Sequence, residues 1–255
     1  MADPRHGTAA ANTAHYTRRG NIALIVLDHP PVNALGRPLR AAICRGLEAA
    51  QADPLVRAVV LMGSEKVFSA GADIKEKNVD LARNREEAKV PDRLDKLIIA
   101  AIGGSALGGG LELALCCHYR IAAGNARLGL SEVRLGRLPG TGGTQRLPRL
   151  IGVAAACDLL LDGEPVDAPR ALELGLVDRI ATGPLLDAAL AYAEALLAAG
   201  APLRRIRDLP VHLPDAGFLD RERARLQQRV PGYQAPLRVL DCIEAAATLP
   251  FDQAK

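Results

Sequence analysis

Aromatic residues are scarce, only 3% of the 255 residues, which leaves little with which to stack nucleic-acid bases. An excess of one charge is also missing. The formal net charge of +3 helps attract an anionic ligand but is too weak to point to a nucleic-acid partner. No apolar run approaches the ~20 residues needed to span a bilayer, so no membrane association is expected. The start, MADPRHGTAAANTAH, lacks the continuous apolar stretch of a secretory signal, and residues 1–14 read as a flexible tail. Cysteine is present but not in a pairing pattern. Cys44, Cys116, Cys117, Cys157 and Cys242 are odd in number, and their one close pair is adjacent inside an apolar run. That is how buried reduced thiols look, and a cytoplasmic setting is expected. No CxxC or HxxxH spacing occurs among them or among His6, His15, His29, His118 and His212, so no metal site is expected.

What is there is ordinary for a globular protein: 49% hydrophobic and 24% charged residues, enough for one α/β domain with a small appendage. YTRRGNIALIVL, from Tyr16 to Leu27, predicts a hairpin or a strand that becomes fully buried, stopped by the paired prolines of HPPVNAL. Leu39, Ile43, Leu47 and Ala50 then share one face at helical spacing, Asp53-Pro54 ends that helix, and VRAVVLMG follows as a strand. The polar stretch from Glu76 to Asp95 reads as a mobile loop with a helix. LIIAAIGG, closed by Gly103 and Gly104, predicts a strand covered on both faces. A helix opening on three glycines comes next, and HYRIAA returns as a strand. VAAACDLLLDG and DAPRALELG predict two short helices, each ended by Gly, with Pro169 in the first turn of the second. Beyond Pro202 only helical patterns remain, so the expected division is a body over 15–202 and a helical region over 203–255.

The stretch richest in chemistry is SALGGGLELAL, Ser105 to Leu115. Glycine in a helix costs about 1 kcal/mol each, so Gly108, Gly109 and Gly110 require a reason. Free N–H groups at a helix N-terminus stabilise negative charge developing on an oxygen, and missing side chains let that oxygen approach. A tight strand-to-helix turn packed on a neighbour is the alternative. Glu112 sits about one turn into this otherwise apolar helix, either as a general base beside the oxyanion site or as a partner for the helix dipole. Glu132, in LGLSEVRLG, is a second carboxylate between apolar neighbours; it is either half of an acid/base pair or an ordinary acid at a helix start after Ser131. Other motifs fail. GGSALGGG lacks GxGxxG phasing, a nucleophile elbow at Ser105 needs Gly where Leu107 stands, and PGTGGTQR lacks the Lys-Ser/Thr of a phosphate loop.

PPVNAL, VRAVVLMG, FSAGADIKE, ALGGGLELAL, EVRLGRLPGTGGTQRLPRLIG and ALELGLVD, in this order over roughly Val26 to Ile180, resemble the crotonase, or enoyl-CoA hydratase/isomerase, superfamily. The resemblance implies an α/β spiral of ββα units with a C-terminal helical appendage. It implies an acyl-CoA substrate, with coenzyme A as part of that substrate and no separate cofactor. By motif position, the thioester carbonyl is expected between the N–H groups of Ala72 and Gly109, and Glu112 and Glu132 are expected to flank the double bond. Ala72, Asp73, Ile74, Lys75, Gly108 and Gly109 are expected to contact substrate and coenzyme A. Ser131 stands where the family usually has proline. RVPGYQAPLRVLDCIEAAATLPFD resembles the segment ending the hydratase/isomerase half of multifunctional β-oxidation enzymes. No dinucleotide fingerprint follows it, so no dehydrogenase activity is expected. A homo-oligomer, trimer or hexamer, is the family's habit, but this C-terminus departs from the usual pattern. Hydration of trans-2-enoyl-CoA leads because both acids are present. The alternatives are Δ3,Δ2-enoyl-CoA isomerisation, which needs only the acid at Glu132, and a non-catalytic acyl-CoA-binding or RNA-associated homologue.

Overall fold

The computed structural model describes residues 13–77 and 80–254. The chain opens as a hairpin, β1 (Ala14–Arg19) and β2 (Ile22–Leu27), antiparallel with Tyr16 opposite Ile25. Of the expected tail, residues 1–12 lie outside the described residues; Ala14 pairs with Leu27, and the Thr13 carbonyl accepts from Asp28 N–H at 2.9 Å. Helix α1 (Arg37–Ala52) buries Leu39, Ile43, Leu47 and Ala50 along one stripe, the face its spacing predicts.

From there each step of the chain sends one strand into each of two sheets. The steps are β3 (Ala58–Met62) with β4 (Val67–Ser69), β5 (Leu97–Ile102) with β6 (Ser105–Leu107), and β7 (Tyr119–Ala122) with β8 (Arg127–Gly129). Helices α2 (Leu81–Glu87) and α3 (Gly109–Cys116) follow the first two steps. The third step leads, through a 3-10 turn at Glu132–Leu135, to α4 (Gly143–Ile151) and α5 (Val153–Asp162). Strand β9 (Val166–Asp167), helix α6 (Ala168–Glu173), strand β10 (Arg179–Ile180) and helix α7 (Leu185–Ala198) complete the body. The larger sheet runs β1-β2-β3-β5-β7-β10 and the smaller β4-β6-β8-β9. Consecutive ββα steps are thus neighbours in both sheets at once, which is the expected spiral.

The larger sheet is covered on both faces. Ile98, Ala100 and Ile102 of β5 face the main core with α1 and α3, while Leu97, Ile99 and Ala101 face a second core closed by Tyr192 and Ala189 of α7. Burying each such aliphatic side chain contributes roughly 1.5–3 kcal/mol, which is why the strand has no polar alternation. At the end of α3 the fully buried Arg120 donates to the Cys117 and Leu176 carbonyls at 2.9 and 2.8 Å, with Asp178 alongside. A cation at a helix C-terminus complements the dipole and occupies carbonyls the helix leaves unpaired; here it fixes the helix that carries Glu112.

Helices α8 (Phe218–Arg229) and α9 (Gln234–Thr248) form the C-terminal region. They fold back onto the body: Leu219, Leu226, Val239, Leu240 and Ile243 belong to the main core, and α9 packs on α4 and α5. Among the described residues, no helix is long and apolar enough to cross a membrane.

Candidate active site

The three glycines of GGG have three different reasons to be glycine. Gly108 has φ +50°, and a Cβ there would lie 2.9 Å from Glu132 Oε1. Gly109 begins α3 beside the 71–72 loop: a Cβ on it would meet Ala72 N at 3.4 Å, and one on Gly71 would meet Gly109 N at 3.2 Å. Gly110 lies so close to β4 that a Cβ would fall 2.3 Å from the Ser69 carbonyl. The alternative of a tight packed turn therefore accounts for Gly110, while Gly108 faces the Glu132 carboxylate and Gly109 the N–H of Ala72. Among the described residues no hydrogen bond takes up the N–H of Ala72 or of Gly109. Two unpaired main-chain donors thus come from adjoining segments.

The loop carrying Ala72 is braced by residues that sequence reasoning missed. Ser69, fully buried, donates through Oγ to the Asn33 carbonyl at 2.7 Å and accepts from Gly71 N–H at 3.1 Å. Asn33, at φ +49°, donates to the Phe68 carbonyl at 3.1 Å, and Leu35 N–H donates to the Gly71 carbonyl at 2.8 Å. The only sequence signal for this bracing was Asn following two prolines, a turn signature with no indication of what the turn supports. Downstream, Asp73 accepts from Lys75 N–H at 2.9 Å, and Ile74 and Lys75 are exposed.

Glu112, in the first turn of α3, is 3% exposed, and its carboxylate is held at the N-terminus of α4. Oε1 accepts from Thr141 N–H at 2.8 Å and Gly143 N–H at 2.7 Å, and Oε2 accepts from the Thr141 hydroxyl. Gly143 permits this approach, since a Cβ would stand 3.0 Å from Glu112 Oε1. The PGTGGT loop, rejected as a phosphate loop, is the cradle of this carboxylate. Arg146 braces the cradle from behind: it donates to the Thr141 carbonyl at 3.2 Å, pairs with Asp92 at 2.7 Å and lies over the Phe251 ring.

Glu132 is the first residue of its 3-10 turn, directly after Ser131, which makes no side-chain cap; the acid thus stands at a helix start as well as beside Gly108. Its carboxylate is half-buried against Gly108, and Oε2 is buried without a hydrogen-bond partner. Burial, and then the charge of nearby Glu112, push its carboxyl up to about 7. The two acids are therefore electrostatically coupled and differently supported. Beyond Glu112 an apolar cavity of about 60 Å³ runs between α1, α2 and α3, lined by Leu35, Ile43, Leu47, Pro91 and Leu113. Its wall is tied by Arg40, which pairs with Glu76 at 2.9 Å and Glu87 at 3.0 Å. No group of three or more His, Cys, Asp or Glu side chains among the described residues is arranged to hold a metal ion.

Two carboxylates, two main-chain N–H groups without partners and an apolar cavity thus adjoin one another. The enoyl-CoA hydratase/isomerase family model matches residues 17–209. The chain is 45% identical over 240 residues to the peroxisomal bifunctional enzyme of Danio rerio, covering 91% of this chain and 33% of that protein. It thus spans about a third of the length of such relatives. It is 42% identical to a protein of Rhizobium meliloti (strain 1021) named "Probable enoyl-CoA hydratase", covering 72% of this chain and 75% of that one. An enoyl-CoA hydratase structure from Bacillus anthracis superposes with a TM-score of 0.69 at 32% identity, covering 92% of this chain and 91% of that chain. The spiral of ββα steps, the match over most of its length and these relatives together make the chain a member of the enoyl-CoA hydratase/isomerase family.

Proposed function

We propose that this chain is an enoyl-CoA hydratase that adds water syn across the double bond of a trans-2-enoyl-CoA, giving the 3-hydroxyacyl-CoA of β-oxidation or a related acyl-CoA pathway. The observation that carries this reading is a pair of acids that sense each other's charge, Glu132 lying against Gly108 and Glu112 one turn into the helix that Gly109 opens. The thioester oxygen would lie between the N–H groups of Ala72 and Gly109. Charge that collects there as water attacks C3 is stabilised by donors already in place, with no reorganisation during the reaction. Glu112 takes the proton of the attacking water. Glu132, whose carboxyl is pushed up to about 7 by its burial so that a substantial fraction carries its proton at neutral pH, delivers a proton to C2. Holding both acids and substrate together removes the entropic cost of assembling separate reactants. The acyl chain would extend into the cavity under α1 and α2, and coenzyme A would follow Ala72 to Lys75.

The test is Glu112→Gln with crotonyl-CoA, read as loss of the conjugated thioester absorbance. Hydration is expected to fall by at least ~10²-fold, while any conversion of 3-enoyl-CoA to 2-enoyl-CoA, which relies on Glu132, survives better. Equal loss of both reactions would contradict this division of labour. An unmodified chain that binds acyl-CoA without turning it over would favour the non-catalytic reading.

A further inference from the structure

We infer that Tyr233, about a hundred residues away in sequence, is a positioning residue for Glu132. Among the described residues the Glu132 carboxylate is supported only by its own backbone N–H, and Oε2 has no partner at all. The aim of this acid is therefore set by the backbone of its turn. Inside the turn, Gly136 N–H donates to the Val133 carbonyl and Arg137 N–H to the Glu132 carbonyl, both at 3.0 Å. The Tyr233 hydroxyl closes on the same groups from outside: it donates to the Val133 carbonyl and accepts from Gly136 N–H at 3.0 Å. One hydroxyl thus joins both ends of the turn.

Tyr233 itself stands on firm ground. It immediately precedes α9, whose Val239, Leu240 and Ile243 are fully buried in the main core. Another outward tie of the turn is Arg134, which donates to the Asp162 carbonyl at 3.0 Å and pairs with Glu164. Both of those side chains are at least half exposed, and such pairs contribute little. The tyrosine, itself 38% exposed, is therefore a hydrogen-bonded connection from the C-terminal helices to the turn that carries the acid, beside the buried side chain of Val133. The competing account makes Tyr233 a fastener for α9 alone; the two differ in whether the hydroxyl matters to turnover or only to melting.

The experiment is Tyr233→Phe in the full chain, which keeps the ring and deletes only the hydroxyl. It rests on the hydratase reading, so unmodified protein and Glu132→Gln are measured beside it with crotonyl-CoA. Expected is a kcat roughly tenfold lower, the scale on which a small misplacement of a reacting group acts, with KM and Tm nearly unchanged. In the Glu132→Gln background the same substitution should add no further loss, because the acid it aims is gone. A kcat within twofold of the unmodified protein, an equal loss in both backgrounds, or a variant unfolded at the assay temperature would each overturn the tyrosine's role. If the unmodified chain does not hydrate crotonyl-CoA, the hydratase reading fails instead.

Discussion

Glu132→Gln should separate stability from activity in a pH-dependent way. Folding raises the Glu132 carboxyl from an ordinary 4.5 to about 7, so the native state holds this proton more tightly than the unfolded chain. The contribution of this group to stability is complete below about pH 4.5 and is lost as pH rises through about 7, where the unpartnered carboxylate becomes charged in place. Each pKa unit corresponds to about 1.4 kcal/mol, which sets an upper bound of ~3.5 kcal/mol; solvent at the half-buried rim reduces this to roughly 1–2 kcal/mol. Glutamine has the shape of the protonated acid and never ionises. The unfolding free energy of Glu132→Gln minus that of the unmodified chain should therefore climb by that amount between pH 5 and pH 8. Urea unfolding at half-unit pH steps measures it, and titrating groups that do not sense the Glu132 charge cancel in the difference. A difference that stays flat across this window would refute the argument that burial without a partner perturbs this acid. The same variant should be nearly inactive in hydration.

Two further outcomes follow from the geometry. Gly108→Ala forces a Cβ to 2.9 Å from Glu132 Oε1 at φ +50°; it should lower kcat/KM by at least ~10²-fold while costing about 1–2 kcal/mol of stability, measured by steady-state kinetics and denaturant unfolding. Thr141→Val deletes the hydroxyl donor to Glu112 Oε2 and leaves both main-chain donors to Oε1; kcat should fall about tenfold, as for one lost hydrogen bond to a charged group, with KM almost unmoved.

The parts of the fold visible in the sequence are those where one strand or helix face decides its own pattern. The continuous apolar run of β5 and the stripe of α1 need no knowledge of their partners. The smaller sheet was invisible because β4, β6 and β8 are three residues each, too short for any periodicity to register. The family resemblance, and not the residue pattern, supplied the spiral. Helix α4 contains Pro148, a breaker by local rules. At the site, Glu112 and Glu132 stood out as carboxylates in apolar surroundings, but what holds them did not. Thr141 and Gly143 act through main-chain N–H groups, and Tyr233 reaches Val133 from a hundred positions away; neither leaves a trace in local composition.

The free N–H groups of Ala72 and Gly109 belong to the polypeptide itself, so almost no single substitution can delete them; only proline removes a backbone donor. The acids, in contrast, are ordinary side chains on separate elements, each replaceable alone. On the reaction proposed above, a scaffold with this asymmetry would keep its hold on the thioester while exchanging the groups that move protons, and so acquire a different reaction by changing very few letters.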